Sequence, residues 1–526
     1  MFSWLPSSWR RDVRFLLALI AGLTAFVVQS GELGTSDTMH RLQTAHSFWT
    51  SEPAVFPGEY PEFGVHGRGG KLYDWYGIGQ PLLMLFADVV GTYIERLPVF
   101  ADYNGNDPSV RNIIVSYSIN ILLSVLTALV CFRLLRLLKF TDCEAAAGVL
   151  ALLFCTTHLH YTQNMMENNY IFLLTLAGFS FQYEWLLTDS HRALLIGSSA
   201  FGLNLLTRLT TGLDLMAGGL FLLLVAWSQP LRGRAPLERF LTYLKTALPL
   251  YAFFLLIDRL YQYHRFGSFF NTYLHYFAVE HRMLDPTLPA NYPFETPFHI
   301  GFLGALFAPE KSIFLFDPLL LLTILIGTMA WKHFTPETRA YLITASLLLL
   351  AYLCFYARYT VWSGDFAWGD RYVSTAAELV AFLSVPLLLR HRAEAGKLVG
   401  TLGIVLIAVS AAIQLASLAF WLPLEIYQME TLGHPTFVIA LRFKNIVAFA
   451  LGRMDAWGLN THAMTEDPWD YIHITNWNFL PFVLRRAGTA PVWVVRVCLA
   501  FLTAGLSALA ATVYQLRNAL RATLSS

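Results

Sequence analysis

Twelve stretches of this chain are apolar and almost free of charge, and they constrain its fold more than any other feature. They run near 13–30, 112–135, 145–160, 168–187, 194–207, 210–228, 242–258, 313–331, 340–357, 372–389, 398–420 and 492–515. A soluble core of 526 residues has no use for so many, and inside hydrocarbon only a helix or a closed barrel satisfies its own backbone. With 56% hydrophobic and 13% charged residues, the chain reads as an all-α polytopic membrane protein of about twelve transmembrane helices, with interfacial helices on its outer face. The first run follows Arg10 and Arg11 and reads as an anchor, not a cleaved signal peptide, because so many spans come after it.

Basic residues then report orientation. Counted from a cytoplasmic amino terminus, Arg133, Arg136, Lys139, Arg192, Arg232, Arg234, Arg239, Lys332, Arg339, Arg390, Arg392, Lys397, Arg517 and Arg521 all fall on one side, as the positive-inside rule requires. If the apolar run 81–94 also crossed, every later loop would invert, so it is expected to be an interfacial or re-entrant helix. The opposite side carries polar segments at 31–111, 259–312 and 421–491 and the short loop 358–371. No fixed-period repeat or low-complexity tract divides the chain, so 1–526 reads as one integral domain. Segments 31–111 and 259–312 are its first and second outer loops, and 421–491 is an outer cap. The cytoplasmic connections are too short for a catalytic domain.

The net charge of +1 points to no polyanion and no nucleic acid as partner. All five cysteines lie in spans or near the cytoplasmic face, which implies neither a disulfide framework nor a cysteine metal site. The outer loops contain no Asn-x-Ser/Thr sequence. The expected location is a bacterial cytoplasmic (inner) membrane, with the active face toward the periplasm.

The chemistry is expected outside. Asp37 follows the first span, where Thr35 or Ser36 caps a helix with Asp37 in its first turn and Met39, Leu42, Ala45, Phe48 and Trp49 on one apolar stripe. The helix dipole favours the ionised carboxylate, as a general base or metal ligand needs, although a capping aspartate beside Arg41 fits the same pattern. Next comes a stretch rich in glycine and aromatic residues, Gly67 to Pro81, with Lys71, Tyr73, Asp74, Trp75 and Tyr76. Its glycines admit a ligand close to the backbone and its rings can stack on sugars, while single aromatics also suit a membrane-interface belt. The spacing is not that of a phosphate-binding P-loop. Arg265 in Arg265-Phe266-Gly267, Lys311 in Pro309-Glu310-Lys311, Arg371 in Gly369-Asp370-Arg371-Tyr372, and Arg208 between two spans bring cations to the same face. They can converge on one anion or simply pair and snorkel.

In order and residue type these motifs resemble those of the GT-C superfamily of polyprenyl-phosphate-sugar glycosyltransferases, especially the branch with protein O-mannosyltransferases and lipid A aminoarabinose transferase. The elements are Asp37, Gly70-Lys71-Leu72-Tyr73 through Gly77-Ile78-Gly79-Gln80-Pro81, Arg265-Phe266-Gly267, Pro309-Glu310-Lys311 through Phe316-Asp317-Pro318, and Gly364 through Tyr372. Many relatives carry paired acidic residues in the first outer loop, whereas here Ser36 precedes Asp37 and no acidic neighbour follows.

The resemblance implies a polyprenyl-phosphate sugar donor, a glycan, lipid or protein acceptor, and inverting transfer to a hydroxyl or amine. Asp37 would be the catalytic carboxylate, and Lys311, Arg371 and Arg208 would hold the donor phosphate. Lys71, Tyr73, Asp74, Trp75, Tyr76 and Arg265 would contact sugar or acceptor. It leaves open a divalent metal and names no other cofactor. The rival class is a multispan transporter or flippase of a lipid-linked saccharide, for which charge near mid-membrane and related halves are expected. In the sequence, charge falls mostly at span ends.

Overall fold

The computed structural model describes residues 12–525 except 59–62, 104–107, 230–234, 366, 422, 431–432, 454–476 and 488–489. Arg10, Arg11, Arg232 and Arg234, and part of the expected 421–491 cap, fall outside the described residues.

All twelve apolar runs are helical. They form α1 (Val13–Val28), α4 (Val110–Leu137), α5 (Asp142–Cys155), α7 (Asn168–Thr188), α8 (His191–Thr207), α9 (Gly212–Ser228) and α10 (Pro236–Phe266). After these come α13 (Ile313–Phe316) with α14 (Leu319–Ala330), α15 (Pro336–Tyr356), α16 (Ser374–Ala381) with α17 (Ser384–Arg390), α18 (Arg392–Ser417) and α22 (Val492–Ser525), the last two separated by α19 (Pro423–Glu430), α20 (Val438–Ala450) and α21 (Leu480–Ala487). Among the described residues, seven helices are long and apolar enough to cross a membrane, and α1 is a shorter apolar helix. The fold is that of an all-α polytopic membrane protein. α10 and α22 leave most of their apolar surface uncovered, as helices facing lipid do.

Local chemistry sets the boundaries. Thr141 and Glu144 close a reciprocal capping box at the start of α5, and Thr335 caps α15 ahead of Pro336. Two expected continuous spans are broken. The run 313–331 divides at Asp317-Pro318, because Pro318 has no N–H to give. The Asp317 carboxylate there accepts instead from the Thr157 N–H and hydroxyl, at 2.8 and 3.1 Å. The run 372–389 divides after Ala381, where Pro386 removes the donor that would have continued the ladder.

Three carboxylates lie inside apolar runs within about two turns of the run's start. Asp214, Asp317 and Glu378 are buried within the bundle, held by neutral donors such as Thr175 and Tyr352 on Asp214 and Thr157 on Glu378.

α1 packs against α4 and α22, α7 against α8 and α4, α8 against α10, and α9 against α15. At one end of the bundle the basic residues assigned to a common side meet acidic partners: Arg133 with Glu184, Lys139 with Glu337, Arg239 with Asp189, and Arg390 with Glu144. α7 carries Glu184 near its last turn and begins at Asn168, next to Glu167. Its 21 residues span on the order of 30 Å, about a hydrocarbon thickness, so Glu167 marks the opposite end.

At that end lie α2 (Ser36–Ser47), α3 (Gly79–Glu95), α6 (His158–Gln163), α11 (Tyr273–Leu284) and α12 (Phe298–Phe307). There too is a small hairpin of β1 (Val65–His66) and β2 (Leu72–Tyr73), antiparallel with Val65 opposite Tyr73. The run 81–94 is the core of α3, packed on α2 and α4. The apolar stripe expected on α2 is only partly buried. Leu42 and Ala45 are covered, whereas Met39 and Phe48 are exposed and Thr38, Arg41, Thr44 and His46 are buried in their stead. The reason is polar docking. Asp88 of α3, itself buried, accepts from Trp49 Nε1 at 2.7 Å and stands 2.9 Å from His46 Nδ1.

Candidate functional site

Thr35 starts α2 by accepting from the Thr38 N–H at 3.3 Å, and the Thr38 hydroxyl ties the helix to the Met165 carbonyl at 2.6 Å. This fixes Asp37 in the first turn and Arg41 one turn later on the same face. The loop after β2 reaches the same place through close backbone contact. A Cβ on Gly77 would lie 2.2 Å from the Leu206 carbonyl oxygen, so this glycine lets the loop press against the end of α8, which carries Arg208. That contact is made with protein backbone, where the sequence suggested a ligand.

From the far side comes the loop between α15 and α16. Gly364, at φ +75°, leaves no room for a side chain beside Arg371, and Lys311 Nζ donates to the carbonyls of Asp365, Ala367 and Gly369 at 2.5, 3.0 and 3.4 Å. The loop is thereby folded around a lysine, and it projects Arg371 back toward α2.

These elements enclose a cavity of about 510 Å³. On its wall Arg371 Nη1 donates to Asp37 Oδ2 at 2.6 Å. Glu167, at the N-cap of α7, pairs with Arg41 through one oxygen and with Arg208 through the other. Within this cluster three guanidiniums face two carboxylates, leaving one positive charge unmatched. Arg41 lies 3.9 Å over the Tyr76 ring, while Arg208 and Arg371 lie 5.0 and 5.2 Å from the Tyr372 ring, itself stacked on Tyr356 at 4.5 Å. The aromatic faces hold the planar cations in position without consuming their N–H groups. Two of those groups are unspent, for Arg41 Nη1 and Arg371 Nε are buried with no hydrogen-bond partner among the described residues. A buried charged donor left so costs more than about 1–3 kcal/mol, unless something enters to accept from it.

Electrostatics fix the protonation states. Burial alone would raise the Asp37 carboxyl, but Arg371, Arg41 and the neighbouring Tyr76 hydroxyl outweigh it and bring its pKa to about 2. Glu167 is likewise held below its ordinary value, with Arg208 and then Arg41 overcoming its burial. The Tyr76 phenol is pushed well above its usual pKa by burial and by the Asp37 carboxylate. At neutral pH Asp37 and Glu167 are therefore carboxylates and Tyr76 is a neutral phenol.

Of the residues singled out from sequence, Asp37, Arg371, Arg208, Trp75 and Tyr76 line this cavity. Five others stand elsewhere. Lys311 is spent on backbone carbonyls, as described. Arg265 and Asp74 form a sealed pair, with Arg265 Nη1 at 2.7 Å from the Asp74 carbonyl and 2.8 Å from Asp74 Oδ1, and Asp74 Oδ2 also takes the Thr44 hydroxyl at 2.7 Å. Tyr73 meets Phe266 edge to face at 6.0 Å, and Lys71 points to solvent.

Sequence reasoning passed over Glu167, Arg41 as a cavity residue, Tyr356 and Tyr372. The signal for Glu167 was an acidic residue in a loop of a few residues, between two spans on the chemically active side. Among the described residues no three His, Cys, Asp or Glu side chains are grouped to hold a metal. The second carboxylate at the site, Glu167, is saturated by arginine.

No protein-family model matches the chain, and no curated protein does. Among solved structures it is similar to the crystal structure of the Archaeoglobus fulgidus oligosaccharyltransferase in its apo form, at 12% identity and a TM-score of 0.47, over 78% of this chain and 56% of that one. The chain thus spans little more than half the length of that structure.

Proposed function

We propose that the protein is a GT-C-type membrane glycosyltransferase with about twelve spans, of which the cavity end faces away from the cytoplasm. It moves a sugar from a polyprenyl-phosphate donor to a hydroxyl or amine of a glycan, lipid or protein acceptor, with inversion, in a bacterial inner membrane. The observation that carries this reading is the pair of buried, unspent arginine donors, Arg41 Nη1 and Arg371 Nε, beside a carboxylate held ionised. Such a site asks for an anion and supplies a base.

The donor phosphate would accept from Arg371 Nε and Arg41 Nη1, with Arg208 completing the positive field. Because Arg371 also holds Asp37, an arriving phosphate competes for the same guanidinium and releases the carboxylate as the donor binds. Asp37 then takes the proton of the acceptor hydroxyl as its oxygen attacks the anomeric carbon. The bond from that carbon to the phosphate oxygen breaks, its electron pair passes to the phosphate, and the arginines stabilise the growing charge. Phosphate leaves readily, so no second acid is needed to protonate it, in contrast to a glycosidase.

The transporter reading draws its support from the buried Asp214, Asp317 and Glu378. Asp214 and Asp317 are already bonded to hydroxyl or backbone donors of the bundle, and Glu378 takes the Thr157 hydroxyl through one oxygen. At the cavity, by contrast, two unpartnered arginine donors stand beside the Asp37 carboxylate.

Asp37→Asn decides between the classes. It is nearly isosteric, and asparagine suits a helix start about as well as aspartate. Surface glycans and lipids, compared by mass spectrometry between cells with the parent gene and cells with the variant, should lose the transferred sugar. The rate in vitro should fall about a hundredfold to ten-thousandfold with donor binding retained. Transfer within a few fold of the parent would remove Asp37 as the base.

A further inference from the structure

One wall of the cavity is chemically unlike the arginine wall. α10 is an apolar helix, yet Asp258 and Gln262 are one turn apart on one face of it, each only 2% exposed, and both line the cavity. The Asp258 carboxylate accepts from Arg259 Nε at 2.9 Å, and Arg259 is held in turn by the Phe269 carbonyl at 3.2 Å. The Gln262 side-chain carbonyl has no hydrogen-bond partner among the described residues, although it is buried. The next turn closes with the sealed Arg265–Asp74 pair, so α10 is anchored on one side of this step and open on the other.

A buried amide oxygen without a donor is unfavourable in the folded state, and a well-packed helix gains nothing by keeping it. What removes the cost is a ligand that donates. This wall offers the Asp258 carboxylate and a neutral amide that accepts through its oxygen and donates through its nitrogen, in contrast to the guanidiniums that suit a phosphate. It suits hydroxyl groups. The same cavity presents Trp75 and Phe277, whose rings meet edge to face at 5.3 Å and can cover the C–H face of a pyranose or furanose ring.

We propose that Gln262, with Asp258 one turn before it, reads hydroxyl groups of the donor's sugar, while the arginines hold its phosphate. The proposal rests on the glycosyl-transfer reading and gives that site a division of labour: affinity from the phosphate end, sugar selectivity from α10. Gln262 is a specificity-determining residue in this scheme, not a proton carrier.

Equilibrium binding to the full chain in lipid nanodiscs tests it, with polyprenyl phosphate as one probe and polyprenyl-phosphate glucose, mannose, galactose and xylose as the others. Single-deoxy analogues of the tightest binder complete the set. In the parent, one of the four sugars should add affinity over the bare lipid phosphate, and one deoxy analogue should lose about tenfold of it. Gln262→Leu, similar in size but without an acceptor, should lose about tenfold for that sugar, cease to distinguish the deoxy analogue, and bind bare polyprenyl phosphate within about twofold of the parent. Gln262→Glu, which keeps the acceptor, should retain the discrimination.

Unchanged sugar discrimination in Gln262→Leu overturns the proposal and leaves the glycosyltransferase reading standing. Equal loss for bare and glycosylated lipid overturns it in favour of a purely structural role. A parent protein that binds no polyprenyl phosphate overturns both readings together.

Discussion

Two aspartate–arginine pairs stand at the same end of this molecule, and their contrast separates chemistry from scaffolding. Arg371 and Asp37 meet at 2.6 Å with their side chains 15% and 17% exposed to the cavity, while Arg265 and Asp74 meet at 2.8 Å with 1% each. Distance does not tell them apart. What differs is access, for the first pair lines the cavity and the second does not. Asp74 also takes the Thr44 hydroxyl, and Arg265 binds the Asp74 backbone carbonyl, so that pair staples α2, the loop after β2 and the end of α10 out of the cavity's reach, even though Arg265 Nε and Nη2 have no partner among the described residues. Asp37 and Arg371 stand beside open space, where an incoming group can reach both. An ion pair that can be exchanged for a ligand is a site, and one that cannot is part of the frame.

The first way to break the comparison is to apply one substitution to each aspartate. Asp37→Asn is expected to cost about a hundredfold to ten-thousandfold in transfer rate and little in stability. It should bind donor at least as well as the parent, because Arg371 no longer has a competitor. The same exchange at Asp74 leaves Arg265 buried without its counter-charge. Breaking a buried pair typically costs about 3–5 kcal/mol, so Asp74→Asn or Arg265→Met should show a lower unfolding midpoint in detergent and poor yield. The surviving folded fraction should have nearly parental transfer per molecule. If the Asp74 variants were stable but inactive, the two pairs would have been assigned the wrong way round.

The fold was largely legible because a membrane leaves few alternatives. Apolar runs of the right length must be helices there, and the segregation of Arg133, Lys139, Arg239 and Arg390 from Asp37 and Arg371 survives as two ends of the bundle. The breaks at Asp317-Pro318 and before Pro386 were written in the prolines, though hydropathy alone passes over them. The site was half legible. Asp37 and Arg371 are 334 positions apart, and only their motif context suggested a meeting. Lys311 illustrates the limit, since a lysine at the entrance of a helix looks the same whether its ammonium faces a phosphate or three backbone carbonyls. Gln262 was invisible for another reason. α10 runs on to Phe266, past the expected end of its span at 258, so its polar face was counted as loop.

A sharper form of the comparison uses pH. The folded-state pKa of Asp37 is depressed from 3.8 to about 2, so its contribution to stability is complete above the ordinary value and is lost only as pH falls through about 2. No acidic limb from Asp37 should appear in kcat/KM of the parent at or above pH 5. Arg371→Gln removes the largest opposing interaction, and burial, which raises the carboxyl, then weighs more. The acidic limb should move upward in pH, so the ratio of activity at pH 5 to that at pH 7.5 falls below the parent's, alongside donor binding weakened about tenfold or more. A weakened but pH-independent variant would mean that Arg371 binds phosphate without governing the base.

The smallest expected effect belongs to Lys311, and it tests whether the frame acts only through position. Its ammonium gathers the carbonyls of Asp365, Ala367 and Gly369 and fixes the loop that ends in Arg371, with burial depressing its pKa and Asp370 opposing the shift. Lys311→Met keeps the aliphatic stem and deletes the three donors. The carbonyls then need other partners, and the loop samples conformations in which Arg371 is turned away from Asp37. Donor affinity is reduced by the fraction of molecules so displaced, which for a few lost hydrogen bonds amounts to about three- to tenfold. Since Lys311 touches neither donor nor Asp37, saturating donor should restore most of kcat, and the pH profile should match the parent's. A direct phosphate ligand behaves differently, because its loss also removes charge stabilisation from the leaving group and lowers kcat at saturation. A large kcat defect in Lys311→Met would therefore move this lysine from the frame into the site and show that the loop rearranges when donor binds.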